Sequence, residues 1–192
     1  MPGSEAIAPV EADVPESSID RTLLEQVALR DLVMRYCRGV DRRDFALVRS
    51  LYHDDAIDDH GAMFSGDPDA FVAWLPTAMA PWELTIHAVT NSTFAVDGDR
   101  AEGEHYVRAW HRTRPPQRKE YIVHGRYLDR YERRQDEWKF LHRSLVFDHG
   151  VVRDVDEKAM TLLGGDATHG TSDRTDPSWR LGLLAGPGKA QP

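Results

Sequence analysis

The chain has 192 residues, of which 41% are hydrophobic and 29% charged, and a formal net charge of −8. That length suits one domain with a core of its own, plus a tail. The acidic balance argues against a nucleic-acid partner, and the single cysteine, Cys37, excludes an intrachain disulfide. No stretch reaches the roughly 18 apolar residues of a membrane span, so no membrane partner is expected.

Residues 1–18, MPGSEAIAPVEADVPESS, are acidic and rich in Pro and Ser. They lack the basic start and apolar run of a signal peptide and read as a disordered segment of a cytoplasmic protein. Ser18 or Asp20 is placed to cap a first helix. Leu23, Val27, Leu29, Leu32, Val33, Tyr36 and Val40 recur along it at helical spacing, and Gly39 is placed to end it. Cys37, in mid-helix, reads as a small buried hydrophobe rather than a nucleophile. Phe45, Val48, Leu51 and Tyr52 make the apolar stripe of a second, shorter helix.

HDDAIDDHGAMFSGDPDAF follows as a short strand or loop and a turn at Gly66-Asp67-Pro68. Its crowded His53, Asp54, Asp55, Asp58, Asp59 and His60 invite a metal reading. Consecutive Asp side chains on a strand point to opposite faces, however, and a metal needs ligands that converge, so no metal is expected. His60 or Asp58 is instead placed near a pocket mouth. PDAFVAWLPTAMAPW is a third helix, with Pro68 near its start and Pro81 beyond its end.

From there the pattern turns to strands. LTIHAVTNSTFAV, RAEGEHYVRAWHRT, EYIVHGRYLDRYERR and EWKFLHRSLVFDHG are rich in β-branched and aromatic residues. DGDR, RPPQRK and RQDE are connections too short for a crossover helix, so these strands should pair antiparallel. Beyond Gly150 the chain is Gly-rich and punctuated by Pro. It holds a short helix at Asp156 to Leu163, and Trp179 and Leu181 are placed to pack on something. The domain reading is therefore a segment 1–18, a domain 19–150, and an extension 151–192 acting as a lid or an oligomer contact. Three helices followed by four long strands give an α+β cone-shaped barrel, in which a curved, mixed or antiparallel sheet wraps three N-terminal helices around a pocket.

Side-chain alternation carries this further. If His87 points inward, so do Thr85, Val89 and Asn91. On the next strand His105, Val107, Ala109 and His111 share one face, the smaller and less charged. Tyr106, Arg108, Trp110 and Arg112 share the other, and its aromatics suit a subunit contact. If Val123 faces the pocket, His124 faces away. No phosphate-binding Gly loop and no nucleophile elbow is present.

This order of elements, with RYCRGVDRRDF, LYHDDAIDDHG, TIHAVTN, VDGDRAEGE and YLDRYERRQDEWKFLHR in it, resembles the nuclear transport factor 2-like superfamily over residues 20–148. It resembles most closely the SnoaL-like branch of polyketide cyclases, scytalone dehydratase, bile-acid 7α-dehydratase and hexachlorocyclohexane dehydrochlorinase. In the dehydratases and the dehydrochlorinase, an Asp at the end of the first helix orients a His on the first long strand. Asp41 and His87 match those two positions. Tyr36 matches a further polar pocket group, Arg143 a pocket arginine, and His111 a second acid–base position set by the register at Asp97-Gly98-Asp99. The resemblance implies no cofactor and no metal, and a homodimer or homotrimer.

The chemistry of these residues stands beside that likeness. A base for elimination or carbon-acid chemistry should titrate near neutral pH, as histidine does, and works best with its tautomer fixed by a carboxylate. His87, Asp41, Tyr36 and His111 are therefore the catalytic candidates, with Tyr36, His111 or Arg143 as donor across the substrate. Arg143, Val107, Val123 and Tyr127 are assigned to substrate binding. The expected activity is a cofactor-independent lyase of dehydratase type on a hydrophobic small molecule such as a steroid, polyketide or haloorganic. A ketosteroid-type isomerase or a polyketide cyclase is the alternative within the enzymes. A binding module, or the small subunit of a ring-hydroxylating dioxygenase, is the alternative outside them.

Overall fold

The computed structural model describes residues 16–116 and 118–185. Three helices, α1 (Glu16–Asp41), α2 (Phe45–Ser50) and α3 (Pro68–Met79), precede the long strands, with two short strands between α2 and α3. Six strands, β1 (Tyr52–Asp59), β2 (Ser65–Gly66), β3 (Trp82–Asp97), β4 (Arg100–Thr113), β5 (Lys119–Arg134) and β6 (Glu137–Asp154), form one sheet in the order β2-β1-β6-β5-β4-β3. The four long strands pair antiparallel, while β1 lies parallel to β6, so the sheet is mixed and open, with β2 and β3 at its edges. α4 (Glu157–Gly164) and α5 (Gly182–Ala185) follow.

The first helix differs from its expected bounds at both ends. Ser18 and Asp20 lie inside it, and residues 1–15 of the expected disordered segment fall outside the described residues. It also runs through Gly39 to Asp41. Its inward stripe is Leu29, Leu32, Val33, Tyr36, Cys37 and Val40, all buried, whereas Leu23 and Val27 are exposed because no described element covers them. Tyr52 is not part of the second helix. α2 ends at Ser50 and Tyr52 opens β1, where its ring packs on Phe71 and Phe140. Asp44 caps α2 through Leu47 N–H, and Asp67 caps α3 through Ala70 N–H.

Curvature comes from bulges, where one strand carries an extra residue against its partner. The β5–β6 register shifts between His124 and Gly125 and again between Arg130 and Tyr131, and the β3–β4 register shifts between Trp82 and Leu84 and between Val89 and Ser92. Gly125 is needed at the first of these, since a Cβ there would stand 2.4 Å from the Val146 carbonyl oxygen. The β3 bulge also turns Asn91 outward, so it is exposed and does not share the inward face of His87. The β3–β4 hairpin closes through Gly98, at φ +57°, and Asp99, with Asp97 opposite Arg100. That pairing sets the register as far as Ser92 opposite His105, and the bulge between Val89 and Ser92 then shifts it by one, which sets His111 opposite Thr85 and Ala109 opposite His87.

The core sits between the helices and the concave face of the sheet. Tyr36, Tyr52, Phe71, Tyr127, Tyr131 and Phe140 interlock there with ring centroids about 5–6.5 Å apart. Burying each such ring is worth roughly 2–3 kcal/mol. Past β6, the extension docks on the end of α1. Trp179 is buried between the guanidinium groups of Arg38 and Arg174, and Asp176 pairs with Arg42 at 3.2 Å.

Candidate active site

A cavity of about 450 Å³ opens between α1, α3 and the concave face of the sheet. Its wall is apolar for the most part. α3 contributes Phe71, Trp74, Leu75, Ala78 and Met79, one helical stripe, and the sheet contributes Val107, Ala109, Val123 and Leu145. Tyr36, Tyr127, His87 and His111 join that wall.

Asp41 stands at the last residue of α1, where the helix end meets β3. Its carboxylate accepts three hydrogen bonds: from Thr85 Oγ1 at 2.8 Å, from the His87 backbone N–H at 2.9 Å, and from His87 Nδ1 at 2.7 Å. Burial pushes the Asp41 carboxyl up, but the facing His87 and these donors outweigh it and hold the group below its ordinary value. A carboxylate only accepts, so His87 carries its proton on Nδ1, and Nε2 is free to act. Arg43, in the left-handed region at φ 55°, donates to Val40 O at 2.7 Å and to Thr85 Oγ1 at 3.1 Å. Arg43, Thr85, Asp41 and His87 thus form one chain of hydrogen bonds ending at the cavity.

His111 faces the same space, edge-on to His87 with ring centroids 5.3 Å apart, and against Trp82 at 5.0 Å. Burial lowers its pKa first, His87 and Arg43 lower it further against the opposing pull of Asp41, and the result is about 4. His111 is therefore a neutral imidazole at neutral pH. Tyr36 is buried, and burial, followed by the Asp58 charge, pushes its hydroxyl well above the usual phenol range while Arg143 opposes.

Of the residues expected to bind substrate, Val107, Val123 and Tyr127 lie on the cavity wall. Arg143 does not. It is fully buried behind the wall, with its guanidinium 4.0 Å from the Tyr36 ring, 4.2 Å from Tyr127 and 4.1 Å from Phe140. Asp129 accepts from it twice, at 2.8 and 2.6 Å. Tyr131 donates to the same carboxylate at 2.9 Å and accepts from His105 Nε2 at 2.7 Å. A guanidinium that satisfies a buried carboxylate and three ring faces is part of the core. His124 is exposed, on the face away from Val123.

Trp74, Trp82, Tyr121 and Phe71 were not among the expected site residues, yet all four line the cavity. The i, i+3, i+4, i+7 spacing of Phe71, Trp74, Leu75 and Ala78 was the available signal for two of them. His60 also reaches the cavity, stacked on Phe71 at 5.5 Å. None of the described residues of the C-terminal extension lines this cavity.

Residues 21–144 match the SnoaL-like domain family, about two thirds of the chain. The chain belongs to the SnoaL-like domain family. The architecture agrees with that of several solved structures of low sequence identity. A scytalone dehydratase-like protein from Novosphingobium aromaticivorans superposes with a TM-score of 0.63 at 23% identity, over 69% of this chain and 90% of that one. Hexachlorocyclohexane dehydrochlorinase LinA-type3 from Novosphingobium barchaimii gives 0.63 at 23% identity, over 73% and 95%. The β subunit of an aromatic-ring-hydroxylating dioxygenase from Novosphingobium aromaticivorans gives 0.58 at 16% identity, over 67% and 92%. A search of curated proteins returns no match. At such identities the likeness establishes the SnoaL-like fold, which supports more than one function.

Proposed function

We propose that this SnoaL-like domain is a cofactor-independent lyase that eliminates water from a hydrophobic small molecule, with His87 as the base. One observation carries the reading: the Asp41–His87 hydrogen bond of 2.7 Å at the wall of an apolar cavity of about 450 Å³. His87 Nε2 takes a proton from carbon, and the C–H electron pair becomes the new double bond. Asp41 holds the tautomer and stabilises the imidazolium that forms. Val107, Val123 and Tyr127 bind the apolar body of the substrate. Neutral His111 borders His87 and supplies a hydrogen bond to the polar end of the substrate. That two structural neighbours are named as a dehydratase-like protein and a dehydrochlorinase favours elimination over isomerisation or cyclisation.

The outer face of the sheet exposes Ile86, Tyr106 and Leu128. We assign this face to a homodimer or homotrimer contact, which sedimentation of the purified protein tests. Among the described residues no helix is long and apolar enough to cross a membrane. We place the protein in the cytoplasm, where cell fractionation tests it.

The test of the activity is a panel of ring-bearing β-hydroxy ketones, followed by the absorbance of the enone product. Turnover by the native protein, lost in His87→Ala with the circular dichroism spectrum unchanged, is the expected result. Equal turnover by His87→Ala overturns it.

A further inference from the structure

A second histidine–carboxylate pair reaches the same cavity from the opposite edge of the sheet. His60 follows β1, near one edge, whereas His87 lies on β3 at the other. His60 Nδ1 is 2.6 Å from Asp58 Oδ1, and Tyr52 donates its hydroxyl to Asp58 Oδ2, also at 2.6 Å. Asp58 is fully buried. Phe71 stacks on the imidazole, Trp74 lies 6.3 Å from it, the His60 backbone N–H donates to Phe64 O at 2.7 Å, and the residue lines the cavity. Among the described residues its Nε2 has no hydrogen-bond partner.

Asp58 accepts from Tyr52 and faces His60 Nδ1, so its carboxylate orients the imidazole of a residue that lines the cavity, while its ladder neighbour Arg143 is committed to Asp129. Across the cavity the other candidates are poor acids. His111 is neutral at neutral pH, and the Tyr36 hydroxyl releases its proton only well above the usual phenol range. Arg143 is behind the wall.

We propose that His60, held by Asp58 and Tyr52, is the catalytic proton donor to the leaving oxygen, which makes β-hydroxy carbonyl compounds the substrate class. The proposal rests on the elimination reading above. In one turnover the C–H bond breaks as His87 Nε2 takes the proton, and its electron pair forms the double bond. The C–O bond breaks with its electron pair on oxygen, and His60 Nε2 delivers the proton that makes the leaving group water. His87 ends protonated and His60 neutral, and one proton passed through solvent from the first to the second restores the enzyme. A halide or carboxylate leaving group needs no such proton, so His60 matters for a hydroxyl and little for those.

The experiment compares ring-bearing β-hydroxy ketones, beginning with the benzaldehyde–acetone aldol, with their O-acetyl esters, in the native protein, His60→Asn and His87→Ala. The Asn side-chain amide can still donate to Asp58, which keeps that carboxylate partnered. His60→Asn should lower kcat on the hydroxy ketones by about 100-fold and on the esters by less than about 5-fold. It should also retain exchange of the α-proton with deuterated water, which His87→Ala should lose. Equal losses on both leaving groups, or no loss on either, overturn the His60 assignment and leave the His87 reading standing. Absence of both α-exchange and elimination in the native protein overturns both.

Discussion

Asp41 and His87 are 46 positions apart in the chain and 2.7 Å apart in the fold. The imidazole is held twice by one residue, because its own backbone N–H also donates to the Asp41 carboxylate at 2.9 Å. Asp41→Asn leaves one amide oxygen for three donors and so loosens the hold on Nδ1–H. It should lower kcat by about two to four orders of magnitude while the far-ultraviolet spectrum is retained. Steady-state kinetics on the elimination panel provide the measurement, and a loss confined to KM would argue that Asp41 only shapes the pocket.

Thr85 links the dyad to Arg43, since it accepts from Arg43 at 3.1 Å and donates to Asp41 at 2.8 Å. Thr85→Val keeps the shape and removes both bonds. One lost hydrogen bond to a charged group is worth about 1.5 kcal/mol, so kcat should fall about tenfold with KM unchanged. Thr85→Ser, which restores the hydroxyl, should recover most of that loss.

Arg143 and Asp129 are both fully shielded from solvent, and each is the other's main counter-charge. Arg143→Met leaves the Asp129 carboxylate buried without a cation and should cost about 3–5 kcal/mol of stability. Arg143→Met combined with Asp129→Leu removes both charges and should recover much of it. Urea denaturation of the two variants measures the difference, and a single variant as stable as the native protein would remove Arg143 from the core network.

His105 and His111 predict an acid-sensitive fold. His105 has no exposed surface, and burial lowers its pKa from 6.5 to about 4. Its folded value lies below its unfolded one, so the unfolded chain binds more protons in between. Stability should therefore be highest above about pH 6.5 and fall as pH drops toward 4, by roughly 3 kcal/mol for this group. His111, also lowered to about 4, adds to the loss over the same window. Below that range Asp41 contributes too. Its folded pKa is depressed, so its stabilisation is present above the unfolded value and is lost as pH falls through the folded one. Thermal melts from pH 8 to pH 4 test the slope, and His105→Asn should flatten it.

Val123 faces the cavity on β5, two residues from Tyr121 and four from Tyr127 on the same wall. Val123→Trp should fill that space with an indole and raise KM by about tenfold or more while the melting temperature changes little. An unchanged KM would mean that substrate binds elsewhere.

Much of this was legible in the residues. Turn chemistry at Gly98 and at Gln135-Asp136, with φ of +57°, +53° and +62°, marks two hairpins that a sequence of Asp-Gly and Gln-Asp already suggests. The inward face of β4, His105 to His111, follows from alternation alone because no bulge interrupts that strand against β5. Alternation fails on β3, where the bulge between Val89 and Ser92 shifts the phase and turns Asn91 out. It says nothing of depth either: Arg143, expected in the pocket through the likeness to the dehydrochlorinase, lies behind its wall.

What the sequence determined by itself was local: where helices give way to strands, which turns close, and which side chains share a face, since these depend on neighbours a few residues away. Asp41 and His87 were paired through likeness to other chains rather than from spacing. Only the tertiary structure decided which inward groups reach the cavity and which are spent on each other. His60 meets Asp58 within a local turn, but it lines the cavity only where α3 packs Phe71 and Trp74 beside its ring. Arg143 is drawn into the core because Asp129, on the adjacent strand, needs a counter-charge where water cannot reach.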